Sequence, residues 1–386
     1  MERKRNNRGG ETVLGNMLRI LMLSILPFLC SALDCGAQTV LGSPLEVVAS
    51  ISSPDLSGMA VTADGRVFIG FPRHADNHSG PTLAEYKDGA LTPFPNAAMS
   101  LPGGKNPADR LVSVHGMTMD TKGRLWVIDD GKEAGQPIKA GAAKIVGFDV
   151  DTGKTITKVI LSAPVLLSVS HMNDLRIDLT HGSAGTAFVT DSSFGTEPAL
   201  VVVDLASGRS RRILEGTAFV GIDKSFLTFV EFEPHVYSRS KVTFPIGGAD
   251  GITLSPDSSR LYWTSLTGRR LFSAPTAVLS NLDVRESELV MSVRDEGERP
   301  PCDGIATDPE GRLYFGAFDQ ESVVRRNADG TFTLIAHDPR LTWPDALQVA
   351  NGYLYVTLGQ WNRHASFNGG HDLRVPPYLL VRIRLE

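Results

Sequence analysis

The chain is poor in cysteine, in aromatic residues and in long apolar runs. Its 386 residues contain 3 Cys, and only 7% are Phe, Trp or Tyr. So few cysteines exclude a scaffold stapled by disulfides. Charge of one sign is scarce as well, with 38 Lys and Arg against 43 Asp and Glu, a formal net charge of −5. No basic stripe or polybasic run follows the first few residues, so the electrostatic footprint of a nucleic-acid-binding protein is missing. Several catalytic signatures are also lacking: no Gly-x-Ser-x-Gly elbow, P-loop, His-Glu-x-x-His or paired-Cys motif occurs. Serine hydrolase, nucleotide and zinc-protease chemistry lose their usual support. At 42% hydrophobic, the composition is that of a folded protein with a sizeable core.

The longest apolar run stands near the start. Arg3, Lys4, Arg5, Arg8 and Arg19 precede an apolar stretch over residues 20–29, and Cys35, Gly36 and Ala37 supply small residues before Gln38. This pattern predicts a secretory signal peptide over residues 1–37, cleaved after Ala37, with an uncleaved anchor as the alternative. The stretch is short for a membrane span, and none is expected after cleavage. Loss of Cys30 and Cys35 with the leader leaves Cys302 alone, so no intramolecular disulfide can form. The expectation is a bacterial-type periplasmic or secreted protein stabilised by packing.

What the sequence does have is an internal repeat. One phrase recurs as LSGMAVTADGRVFIGF from Leu56, VHGMTMDTKGRLWVID from Val114 and MNDLRIDLTHGSAGTAFVTD from Met172. It returns as GADGITLSPDSSRLYWTSL from Gly248, CDGIATDPEGRLYFGAF from Cys302 and WPDALQVANGYLYVTL from Trp343. Each copy is a short alternating apolar segment, a turn of the Asp-x-x-Gly-Arg kind and a second segment rich in aromatic and β-branched residues. That is a β-hairpin written six times. Taking Gly58, Gly116, Asp174, Gly251, Gly304 and Ala346 as equivalent, the copies lie roughly 40 to 80 residues apart, room for a four-stranded blade each. The longest interval, between Asp174 and Gly251, holds an expected insertion over residues 216–244. Helical periodicity is scarce, which argues against βαβ units.

The pattern predicts an all-β, six-bladed β-propeller in one domain over residues 38–386. The last copy is followed by one good strand only, residues 378–385, while Leu45–Ile51 is an orphan strand before the first copy. Pairing these ends in one blade closes the ring and removes an exposed edge.

The residue before each equivalent position is Ser57, His115, Asn173, Asp250, Asp303 and Asp345. In a propeller these stand at the start of the innermost strands and converge on one axial mouth. Three carboxylates near one axis repel each other, so either a cation binds among them or some hold protons at neutral pH. His115, Asp250, Asp303 and Asp345 are therefore the candidate catalytic residues. Asp before Gly is also a common turn device, and for Asp250 and Asp303 both roles stand open. Asp64, Asp120 and Asp308 belong to the hairpin turns. His74 and His78 are expected on a solvated loop, and Cys302 as a small buried residue. The segment 360–374, with Trp361, His364, Phe367 and His371, is either a cover for one face of the channel or a surface excursion.

The repeats, taken as a set, resemble the major royal jelly protein and insect yellow family. The phrases from Ser113, Met172 and Gly248, then CDGIATDPEGRLYFGAFDQESVVRRN and LTWPDALQV, carry the likeness in order from about Pro54 to Leu385. The resemblance implies a bacterial member of the group described as related to L-dopachrome tautomerases, acting on or binding a small molecule in the central channel. The disulfide pattern of the insect proteins is missing. A wider likeness to gluconolactonase and regucalcin-type propellers implies one divalent metal, Ca²⁺, Mg²⁺, Mn²⁺ or Zn²⁺, on Asn173, Asp250 and Asp303. Their first-repeat Glu is replaced here by Ser57. Three functions follow from these resemblances: a tautomerase of small carbonyl compounds, a metal-dependent lactonase, and a non-catalytic binder of small amines.

Overall fold

The computed structural model describes residues 40–104 and 106–386; the expected leader lies outside them. Six antiparallel sheets follow one another along the chain. From the innermost strand outward, the first blade is Met59–Val61, Val67–Gly70, Leu83–Lys87 and Ala90–Pro93. The second is Val114–Met119, Leu125–Asp129, Lys144–Phe148 and Thr155–Ile160, and the third Met172–Asp178, Thr186–Asp191, Ala199–Asp204 and Ser210–Ile213. The fourth blade is Ala249–Leu254, Arg260–Ser265, Arg270–Pro275 and Arg294–Glu298, and the fifth Cys302–Thr307, Leu313–Ala317, Ser322–Arg326 and Phe332–His337. Pro344–Ala350, Tyr353–Leu358 and Tyr378–Arg384 begin the sixth, and Leu45–Ile51 completes it.

That last pairing closes the ring as the sequence predicts. Leu45–Ile51 runs antiparallel to Tyr378–Arg384, with Leu45 opposite Ile383 and Ile51 opposite Tyr378. The segment just before that strand goes one step further than expected: Leu41–Gly42 adds a short strand to the fifth blade, pairing with Ala336 and His337. Residues 41–51 thus hold two neighbouring blades together. No helix among the described residues is long and apolar enough to cross a membrane.

Alternation along the strands explains the packing. In Leu125–Asp129, Leu125 and Val127 face the first blade's core while Trp126 and Ile128 face the third blade's. Ala199–Asp204 divides the same way, with Val201 and Val203 toward the second blade and Leu200 and Val202 toward the fourth. A sheet covered on both faces reads as a nearly continuous apolar run, which is how these strands look in sequence. Each pair of adjacent blades encloses its own apolar core.

The turn phrase has a defined job. The Asp120 carboxylate accepts from the backbone N–H of Lys122 and Arg124 and from the Trp126 indole, so one side chain folds the turn and pins the second strand. Asp308 repeats this with Glu310, Arg312 and the Tyr314 hydroxyl. Gly123 and Gly311 sit at φ +73° and +81°, a left-handed conformation that glycine adopts without strain.

Candidate functional site: the axial mouth

The innermost strands carry a register irregularity at the same place in five blades. It falls between Val114 and Met117, Met172 and Leu175, Ala249 and Ile252, Cys302 and Ile305, and Pro344 and Leu347. The residues inside the gaps include His115, Asn173, Asp250, Asp303 and Asp345. A bulge turns a side chain off the alternating pleat, and here it turns all five toward the axis. The following glycine has a separate role: a Cβ on Gly58, Gly251 or Gly304 would run into the backbone of His115, Asp303 or Asp345 on the next blade. Glycine lets the inner strands approach closely enough to form a narrow ring.

The ring floors a cavity of about 610 Å³ lined by His115, Asn173, Asp250, Asp303 and Asp345. All the sequence-predicted site residues therefore meet in one place. Asn173 donates its side-chain N–H to Asp250 Oδ2 at 3.0 Å, and the indoles of Trp343 and Trp361 donate to Asp303 Oδ2 and Asp345 Oδ2, each at 2.7 Å. Burial pushes the Asp250 carboxyl up to about 8, and the hydrogen bond from Asp303 and the neighbouring Asp345 charge pull it in opposite directions. Burial and the repulsion of Asp250 hold Asp303 well above the usual carboxylate range; burial and the repulsion of Asp303 do the same for Asp345. Three buried acids that repel one another around one axis do not all ionise, so the floor carries protons at neutral pH.

Asn173 and Trp343 thus engage one oxygen each of Asp250 and Asp303. A second set of donors converges beside them. His74, His115 and His171 line the same cavity and bring one ring nitrogen each to within 4.8 Å of the others. This corrects the reading of His74 and His78 as solvated loop residues. His74 stacks on Trp361 at 5.3 Å between ring centroids, and His78 is half-buried with Nε2 3.0 Å from the Phe71 carbonyl oxygen. The loop doubles back under the mouth because the buried Arg73 guanidinium gathers the carbonyls of His78, Val112 and Gly80. Burial depresses His115 and His171 to about 3. These imidazoles are neutral, and His115 Nδ1–H is directed to the Asn173 carbonyl at 3.1 Å.

Behind the histidines stands Asp130, fully buried and pushed up to about 6 by that burial. Its Oδ1 accepts from the Lys132 N–H at 2.8 Å. Sequence reasoning passed over both Asp130 and His171. The available signal was positional: His171 lies two residues before the ring residue Asn173, and Asp130 follows directly on a second strand.

Three loops build the walls. Ser193 and Phe194 adopt left-handed conformations, φ +43° and +47°, tied by hydrogen bonds from Ser193 to the Asp191 carboxylate. Strain of this kind persists where surrounding bonds impose it, and it lays the Phe194 ring on His171 at 4.5 Å. The segment 360–374 contributes Trp361, His364, Ser366 and Phe367 to the cavity, so it covers the mouth; His371 remains exposed outside it. The expected insertion forms a hairpin, Leu227–Val230 and Glu233–Val236, and supplies Arg239 and Val242 to the rim. Its Glu231 grips Arg363 and Asn362 of the covering segment. Cys302 is buried away from the cavity, its thiol pushed up to about 11 by burial.

Fold and site together define a six-bladed propeller with a small-molecule-sized cavity at one axial mouth. The description of the major royal jelly protein family matches residues 112–369. The chain belongs to that family. No curated protein sequence matches it. Among solved structures, a luciferin-regenerating enzyme is similar at 12% identity and a TM-score of 0.53, covering 89% of this chain and 95% of its own. A calcium-binding protein, regucalcin of Agrobacterium tumefaciens, is similar at 14% identity and a TM-score of 0.51, over 89% of this chain and 94% of its own. A putative gluconolactonase gives 12% and 0.51 over the same shares. At these identities the likeness is one of fold.

Proposed function

We propose that the mouth converts a small, planar carbonyl compound by moving protons, the tautomerase chemistry associated with dopachrome. The observation that carries this reading is the pair of carboxyls Asp250 and Asp303, buried beside Asp345 at the floor of the cavity. In its singly ionised form the couple offers a carboxylate and a carboxylic acid side by side. The carboxylate takes a proton from substrate carbon while the neighbouring acid returns one to substrate oxygen, leaving no net change in atoms. Trp361, Phe194 and Phe367 supply flat walls for a conjugated ring, and His115 lies on the same lining.

The electrostatics weigh against the amine-binding alternative, because three buried acids that share protons offer a cation less charge than three carboxylates would. Lactone hydrolysis through a metal on Asn173, Asp250 and Asp303 would require these buried acids to give up the protons they hold and the Asn173–Asp250 hydrogen bond to open. Assays of the purified protein with L-dopachrome and with simple lactones, beside calorimetric titration with small amines, separate the three. Faster decay of dopachrome, with lactones untouched, is the expected result. Lactone turnover or saturable amine binding without turnover would replace the reading.

We further propose that the protein is exported and that its leader is removed after Ala37. Mass spectrometry of the exported chain should find Gln38 at its start and a single thiol, Cys302.

A further inference from the structure

We propose that His74, His115 and His171 bind a transition-metal ion of the Zn²⁺ class, with an open coordination position facing the cavity, and that Asp130 positions His171 and His74 for it. The three residues come from three places in the chain: the loop after the second strand of the first blade, the bulge of the second and the entry to the third. Their donor nitrogens lie within 4.8 Å of one another. A tetrahedral zinc site with bonds of about 2.0–2.1 Å holds its nitrogens roughly 3.4 Å apart, so a closing movement of about an ångström completes the triangle.

The surroundings are those of a prepared ligand set. His115 has its Nδ1–H fixed on the Asn173 carbonyl, which leaves Nε2 with a free lone pair. Asp130 Oδ2 lies 3.3 Å from His171 Nδ1 and 4.0 Å from His74 Nδ1. None of these three buried atoms has an aligned hydrogen-bond partner. A carboxylate set behind two imidazoles is the arrangement that orients metal-bound histidines and raises their basicity. Phe194 and Trp361 cover the outer faces of His171 and His74 and keep the rings in place. The remaining side opens to the cavity, where a water or a substrate oxygen completes the coordination. Three neutral imidazoles favour Zn²⁺, Co²⁺ or Cu²⁺ over the oxygen-seeking Ca²⁺ and Mg²⁺. A purely aromatic wall would not need three unpartnered polar atoms at its centre.

The site stands whatever the substrate, and its test reads metal rather than turnover. Purified protein is stripped with a chelator, then titrated with Zn²⁺ and separately with Co²⁺, with metal content measured after gel filtration and the Co²⁺ visible spectrum recorded. One equivalent of Zn²⁺, and the intense Co²⁺ bands of four-coordinate nitrogen ligation, are expected. His74→Ala and His171→Ala should each weaken binding at least 100-fold, and Asp130→Asn by 10- to 100-fold. Asp303→Asn should retain the full equivalent. Wild-type protein that takes up no stoichiometric metal, or an octahedral Co²⁺ spectrum, would overturn the assignment even if a variant failed to fold. Binding that survives His74→Ala but is lost in Asp303→Asn would move the metal to the acid ring and overturn it equally.

Discussion

The indole of Trp361 donates to Asp345 Oδ2 at 2.7 Å, joining the covering segment 360–374 directly to the acid floor. Trp361 also stacks on His74. One side chain therefore couples the lid, the histidine group and the ring of acids. Trp361→Phe keeps an aromatic wall and removes the hydrogen bond to a buried acid. A loss of about 1–3 kcal/mol is expected in denaturant unfolding, together with weaker ligand binding. Unchanged stability and affinity would mean that the bond does not organise the mouth.

Glu231, on the tip of the inserted hairpin, bonds to Arg363 and Asn362 on the covering segment. Breaking this bridge with Glu231→Gln should loosen residues 360–374 while leaving the blades intact. Hydrogen exchange should rise in that segment alone, and the change in global stability should stay within about 1 kcal/mol because the pair is partly solvated. Exchange spreading into the sixth blade would contradict this division.

Asp250 has a defined effect on pH-dependent stability. Its carboxyl is raised by burial to about 8, against about 3.9 when unfolded, so across that interval the folded state binds more protons than the unfolded one. Stability contributed by this site falls as pH rises from about 4 to about 8 and is level above. Asp303 and Asp345 act with the same sign. Asp250→Asn should gain on the wild type through that window, by on the order of 1–3 kcal/mol between pH 5 and pH 8.5. A pH-independent difference would show that the floor is ionised.

Gly304 stands where a Cβ would strike the Asp345 carbonyl. Backbone cannot yield as a side-chain tip does. Gly304→Ala should cost about 3 kcal/mol or more in denaturant unfolding, well above a tolerated surface change. A cost under 1 kcal/mol would refute the close-approach role of the glycine.

The fold was legible because one hairpin, written six times, carries both the period-2 pattern and its turn chemistry. The five polar ring residues were legible for the same reason, since equivalent positions in equivalent strands converge. What the repeat could not show lies in the loops. His74 looked solvated because its neighbours Asp76 and His78 are polar; burial comes from Arg73, whose guanidinium folds the loop inward on three carbonyls. His171 and Asp130 occur in single blades and reach the mouth only through the local course of their chains. The covering role of residues 360–374 depends on Glu231, a long-range contact that no local pattern announces.

In the proposed function the Asp250–Asp303 couple moves protons in this cavity. The most direct test compares L-dopachrome decay catalysed by the wild type and by Asp303→Asn at neutral pH, with both proteins shown to be folded. A loss of 10²- to 10⁴-fold in the variant is predicted, the range of a general acid or base. Equal rates in the two proteins, or no turnover by the wild type, would contradict the claim.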